Sequence, residues 1–96
     1  MVPVHHAITR DLVGYRVLGR HGELGTVVQA QGIGGSVDSP TLVVRGGSTE
    51  RLIFYLPLGR VASIFPRRRT VISEVDVTDF AARLNADGTV ELHLTQ

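Results

Sequence analysis

The feature that most constrains the fold of this chain is the regular interruption of its apolar stretches by glycine and proline. Eleven glycines and four prolines are spread over 96 residues, and no apolar run is long. Short apolar runs separated by such residues are typical of an all-β barrel or sandwich. The length suits one domain with a modest core. We therefore expect a single all-β domain that spans residues 1–96.

The strongest local prediction is a hairpin near the start of the chain. Apolar residues alternate from Val13 to Leu18, the turn Arg20–Glu23 follows, and Gly22 can supply the positive φ of a tight turn. A second strand is expected at about Leu24–Gln31, with alternate residues on one face. These are Leu24, Thr26, Val28 and Ala30.

The rest of the chain is predicted to add further strands and one ambiguous segment. A long loop is expected at Gly32–Pro40. Thr78 is a plausible N-cap for a short helix at Asp79–Leu84, although the same residues also alternate as a strand and would then form a C-terminal hairpin. Strands are expected at Thr41–Arg45, Arg51–Leu56, Ala62–Phe65, Thr70–Val75 and Thr89–Thr95.

Three segments together resemble the PRC-barrel family, named for a small β-barrel shared by the photosynthetic reaction-centre H subunit and a ribosome maturation factor. They are Asp11–Leu18, Gly22–Val27 and Tyr55–Ile64, in the family's order. The resemblance runs from about residue 12 to 73 and leaves 74–96 as an extension. It implies a strongly bent antiparallel barrel of about six strands plus a C-terminal short helix or hairpin. The structural positions carried over are Gly14, Gly22, Gly25 and Pro57.

Composition narrows the classes of function. The formal net charge is +1, which gives no broad electrostatic field for nucleic acid or anionic membrane. The chain has no cysteine, so disulfides and thiolate chemistry are excluded. The first residues lack the pattern of a signal peptide, and no apolar run could span a bilayer. We expect a cytoplasmic protein similar to the free-standing bacterial members of the family.

No motif points to catalysis, a cofactor or a metal. Adjacent His5 and His6 would point to opposite sides of an extended segment, and His21 and His93 have no local partner at ligand spacing. Three carboxylates do cluster, but their pattern is also that of an ordinary polar edge. They are Glu74, Asp76 and Asp79. The resembled family has no catalytic residues to transfer, so we expect a protein that is not an enzyme and binds no cofactor.

An apolar run at Leu52–Leu56 predicts an interaction surface. One face of such a strand fills the barrel and leaves Ile53 and Tyr55 directed outward, with Arg51 and Arg60 nearby. We expect this surface to join two copies in a homodimer. The alternative is that Phe80 and Leu84, in the C-terminal segment, cover it within one chain.

The remaining concentrated feature is the basic turn formed by Arg67, Arg68 and Arg69. Near Phe65, these side chains could hold RNA phosphates while the ring stacks on a base. An RNA-binding or ribosome-assembly role is therefore the alternative to a protein-interaction module. Docking of an acidic protein patch would use the same turn.

Overall fold

A computed structural model of the chain describes residues 12–31 and 40–95, and they form one sheet of eight strands. The loop expected at Gly32–Pro40 lies almost wholly outside the described residues. Short 3₁₀ turns at Leu58–Arg60, Pro66–Arg68 and Val77–Asp79 connect strands. The strands are β1 (Arg16–Leu18), β2 (Glu23–Gln31), β3 (Thr41–Gly46), β4 (Leu52–Pro57), β5 (Val61–Phe65), β6 (Thr70–Ser73), β7 (Phe80–Leu84) and β8 (Val90–Leu94).

The sheet is a curled, open half-barrel and not a closed one. Its strand order is β5-β6-β1-β2-β3-β4-β8-β7, so β5 and β7 are free edges. The β1–β6 and β4–β8 pairs are parallel, and the others are antiparallel. The expectation of a wholly antiparallel barrel was therefore wrong. The eight strands are six followed by a C-terminal hairpin, which is one of the two forms expected from the sequence. The mainly β class is confirmed.

The helix expected at Asp79–Leu84 was also wrong. Asp76 caps a single 3₁₀ turn: its Oδ1 accepts from the Val77 N–H at 2.9 Å, and Asp79 Oδ2 accepts from the Asp76 N–H at 2.8 Å. The chain then becomes extended at Phe80, with φ −110° and ψ 146°. Strand β7 pairs with β8 over five residues, which gives the C-terminal hairpin that the alternation allowed.

The core lies on the concave side of the sheet. Phe54 is 2% exposed, and its ring meets that of Phe80 edge-on with centroids 5.1 Å apart. Strand β2 differs from its expected phase because its pairing with β1 shifts at Leu24, between Glu23 and Gly25. Val27 is consequently buried beside Leu24, while Thr26 and Val28 are exposed. A bulge of this kind reverses which side chains face the core.

Two glycines mark an unusually close approach of β2 and β3. A Cβ atom at Gly46 would lie 1.8 Å from the Leu24 carbonyl oxygen, and one at Gly25 would lie 2.2 Å from the Arg45 carbonyl oxygen. Both contacts are with backbone, which cannot rotate away. Glycine is therefore required at both positions, where the two backbones leave no room for a side chain.

Candidate protein interaction surface

The convex side of the sheet, here called the outer face, carries the side chains of β4 that do not enter the core. Phe54 and Leu56 are buried in the core, so strand alternation directs Ile53 and Tyr55 to the outer face. Both side chains are half-buried. Ile53 lies in register between Arg45 on β3 and Glu91 on β8. The surface is thus an apolar pair with charged neighbours.

Tyr55 is partly covered by a neighbour within the chain. Its ring stacks on His93 of β8, with centroids 4.6 Å apart and planes 9° from parallel. On its other side lies Val43, which is 6% exposed. His93 Nε2 is 3.1 Å from Glu91 Oε1, and this hydrogen bond, followed by one from Asn85, lowers the pKa of Glu91. Two neighbours within the chain, His93 and Val43, therefore flank Tyr55 on the outer face.

The cover that the sequence offered as an alternative does not lie over this face. Phe80 packs against Phe54 in the core, on the opposite side of the sheet. Leu84 is 74% exposed. Ile53 and Tyr55 therefore keep the accessible area that remains beside His93.

The two arginines expected beside this surface lie at opposite ends of β4. Arg51 precedes the strand, and Arg60 follows it in a 3₁₀ turn. Six residues of strand separate them by roughly 20 Å. Arg60 Nε lies 3.5 Å from Glu74 Oε1. The pKa of Asp87 is lowered mainly by hydrogen bonds from Thr89, and the positive charge of Arg51 lowers it further. They flank the apolar pair and do not cluster with each other.

The basic turn divides its three arginines between two environments. Arg67 and Arg68 are exposed in the 3₁₀ turn beside Phe65, which is 46% exposed. Arg69 adopts a left-handed conformation, with φ 48°. Its guanidinium lies over the Tyr15 ring, 5.3 Å from the centroid. All three arginines are exposed, but the guanidinium of Arg69 lies against the Tyr15 ring.

The three clustered carboxylates each contact a different basic group. Glu74 contacts Arg60, Asp79 Oδ2 lies 3.4 Å from an Arg20 nitrogen, and Asp76 bonds His21 Nδ1. The contacts of Asp79 and Asp76 tie the β1–β2 turn to the turn before β7. Within the described residues no three histidines or carboxylates stand together as metal ligands. His5 and His6 lie outside those residues.

Sequence reasoning missed the pairing of His21 with Asp76. The two residues are far apart in the chain, and parallel pairing of β1 with β6 brings their turns together. The spacing Asp76-Val77-Thr78-Asp79 matches a capping box and could have indicated the turn itself. It could not have indicated the histidine.

This pairing makes stability depend on pH in acid. The hydrogen bond from His21, followed by that from the Val77 N–H, lowers the pKa of Asp76 below its ordinary value. A carboxyl whose pKa is lowered by folding stabilises the fold above its unfolded pKa, about 3.9, and loses that effect as pH falls through the lower folded value. We expect Asp76→Asn to flatten the fall in unfolding free energy below about pH 4, measured by urea denaturation.

Glu23→Gln is the control for this effect, because Glu23 is exposed and makes no ion pair among the described side chains. The control should reproduce the wild-type pH profile. An Asp76→Asn profile that overlays the wild type would contradict the role given to His21.

Comparison with known proteins adds no family or relative to these observations. No protein-family model matches the chain, and a search of curated proteins finds no match. Among the described residues, no helix has the length and apolar character needed to cross a membrane.

Proposed function

We propose that this protein is a non-catalytic protein-interaction module of the PRC-barrel type that self-associates through the outer face of β4. The observation that carries the proposal is the half-buried pair Ile53 and Tyr55 on the outer face, where Tyr55 stacks on His93. Arg51 and Arg60 flank the pair and form the polar rim of the surface. Aromatic and arginine side chains at the centre and rim of a surface are typical of protein contacts.

Four positions support the family assignment. Gly14 has φ 94°, Gly22 occupies the β1–β2 turn, and Pro57 ends β4 before a 3₁₀ turn. Gly25 lies at the close approach of β2 and β3. In the resembled family these are structural positions, and each has a structural reason here.

Tyr55→Glu tests the proposed surface. A carboxylate there would be desolvated at a contact between copies, so we expect the assembly to dissociate without unfolding. Light scattering over a range of concentrations measures the mass, and circular dichroism confirms the fold. Val13→Glu, at another half-exposed apolar side chain, is the control and should keep the wild-type mass.

Two results would contradict the proposal. One is a monomeric wild type at every concentration. The other is binding of single-stranded RNA that weakens steeply with salt and is lost when Arg67, Arg68 and Arg69 become Ser, since each phosphate contact releases counterions. That second result would favour the RNA-binding alternative, for which exposed Arg67 and Arg68 beside Phe65 provide the groups.

A further inference from the structure

Strand β7 leaves one side of its backbone without partners. The Asn85 N–H donates to the Thr89 carbonyl, and the Thr95 N–H donates to the Asp79 carbonyl. Because hydrogen-bonded and non-hydrogen-bonded positions alternate in an antiparallel pair, Ala81 and Arg83 also face β8. The N–H and C=O groups of Phe80, Ala82 and Leu84 therefore point to the open edge.

Most of these edge groups have no partner in the part of the chain that the structure describes. The Phe80 N–H donates to the Val77 carbonyl and closes the 3₁₀ turn. The remaining edge groups make no hydrogen bond within residues 12–31 and 40–95. They are the amides of Ala82 and Leu84 and the carbonyls of Phe80, Ala82 and Leu84. An edge of this kind is a template for another strand.

The other edge, β5, carries features that discourage such pairing. Its register with β6 shifts between Val61 and Ser63, Pro66 follows it directly, and Arg60 and Arg67 flank it. Bulges, prolines and charges are the devices by which natural edge strands avoid pairing. Strand β7 pairs with β8 in unbroken register and contains no proline or glycine. Of the two edges, β7 is the one open to a further strand.

We propose that β7 pairs antiparallel with β7 of a second copy, about a two-fold axis through Ala82. In the antiparallel pair of two β7 strands, the apolar ends Phe80 and Leu84 lie opposite each other, and the small Ala82 lies opposite Ala82 of the other copy. The two Ala82 residues exchange both hydrogen bonds. The Leu84 N–H of each copy donates to the Phe80 carbonyl of the other.

Side chains fit this pairing on both faces of the strand. Leu84, 74% exposed in one copy, lies opposite Phe80 of the other copy on the concave side, where both are apolar. On the outer face, the small Ala81 lies opposite the long Arg83 of the other copy. Arg83 is in register with Glu91 of its own chain, so each arginine has a carboxylate neighbour. A second copy therefore meets complementary size and polarity.

The two-fold arrangement also closes the assembly at this edge. Pairing of β7 with β5 of another copy would be heterologous and would extend into a filament. The bulge and Pro66 at β5 oppose that arrangement. Strand β8 lies between β4 and the open edge of β7, so the two contacts can be tested by different variants.

Ala82→Pro tests the pairing. Proline removes the central edge N–H and leaves the β7–β8 bonds of Ala81 and Arg83 in place. We expect the mass by light scattering to fall by a factor of two or more. Leu84→Lys is a second variant, because a lysine there is solvated in one copy but faces Phe80 in the pair; Val13→Lys is its control and should keep the wild-type mass.

Amide hydrogen exchange of the wild type measures directly whether the amides at the β7 edge are hydrogen-bonded. We expect the amides of Ala82 and Leu84 to be protected at high concentration and to exchange freely in Leu84→Lys. Free exchange of these two amides in the wild-type assembly overturns the inference, whatever its mass. A mass unchanged by both edge variants but lowered by Tyr55→Glu overturns it too and leaves the proposed function intact. If the edge variants lower the mass and Tyr55→Glu does not, the β7 edge is the contact between copies and the outer face is not.

Discussion

Replacing Gly46 with alanine is expected to destabilise the protein by about 3 kcal/mol or more, because the added methyl group meets backbone and not a movable side chain. The Cβ atom would lie 1.8 Å from the Leu24 carbonyl oxygen. Strands β2 and β3 would have to separate to admit it, at the centre of the sheet. For a domain of this size the melting temperature should fall by roughly 10 to 25 °C, measured by circular dichroism.

Gly59→Ala is the matched control for this substitution. A Cβ atom at Gly59 meets nothing within 4 Å. Its melting temperature should stay within a few degrees of the wild type, as for most surface substitutions, roughly ±0.5 kcal/mol. Equal melting of the two variants would show that the β2–β3 contact is looser than described.

Replacing Phe54 with alanine is expected to cost about 3–5 kcal/mol of unfolding free energy, because it leaves a cavity in the centre of the core. Phe54 is 2% exposed and lies between Val44 on β3 and Leu92 on β8. The substitution also removes the edge-on contact with Phe80. Urea denaturation measures the loss.

Phe65→Ala removes the same atoms from a half-exposed site on the edge strand β5 and serves as the control. Its cost should be about 1 kcal/mol, since much of the ring is already in water. A Phe65→Ala loss as large as that of Phe54→Ala would contradict the location of the core.

Local patterns predicted most strands but not their arrangement. The hairpin around Gly22, the run at Leu52–Leu56 and the final strand lie close to β1–β2, β4 and β8. The helix expected at Asp79–Leu84 failed because five ladder pairs with β8 outweighed a weak local preference. No local pattern predicts the parallel pairs β1–β6 and β4–β8, since they join segments distant in sequence.

The candidate surface was predictable to the same extent. Alternation with the buried Phe54 and Leu56 is enough to direct Ile53 and Tyr55 outward. The stacking of Tyr55 on His93 depends on the β4–β8 pair and was beyond the sequence. The open edge at β7 was also not predicted, because it follows from the order of strands in the sheet, which local patterns do not give.

The two parallel pairs have a consequence for the speed of folding. Strands β2, β3 and β4 and the β7–β8 hairpin can form from neighbouring segments, whereas β1 meets β6 only after most of the chain is in place. Proteins dominated by such distant pairings typically fold in milliseconds to seconds. Until the last pairs close, β4 and β6 each lack a neighbour, so newly made chains at high concentration are most exposed to misassembly during that interval.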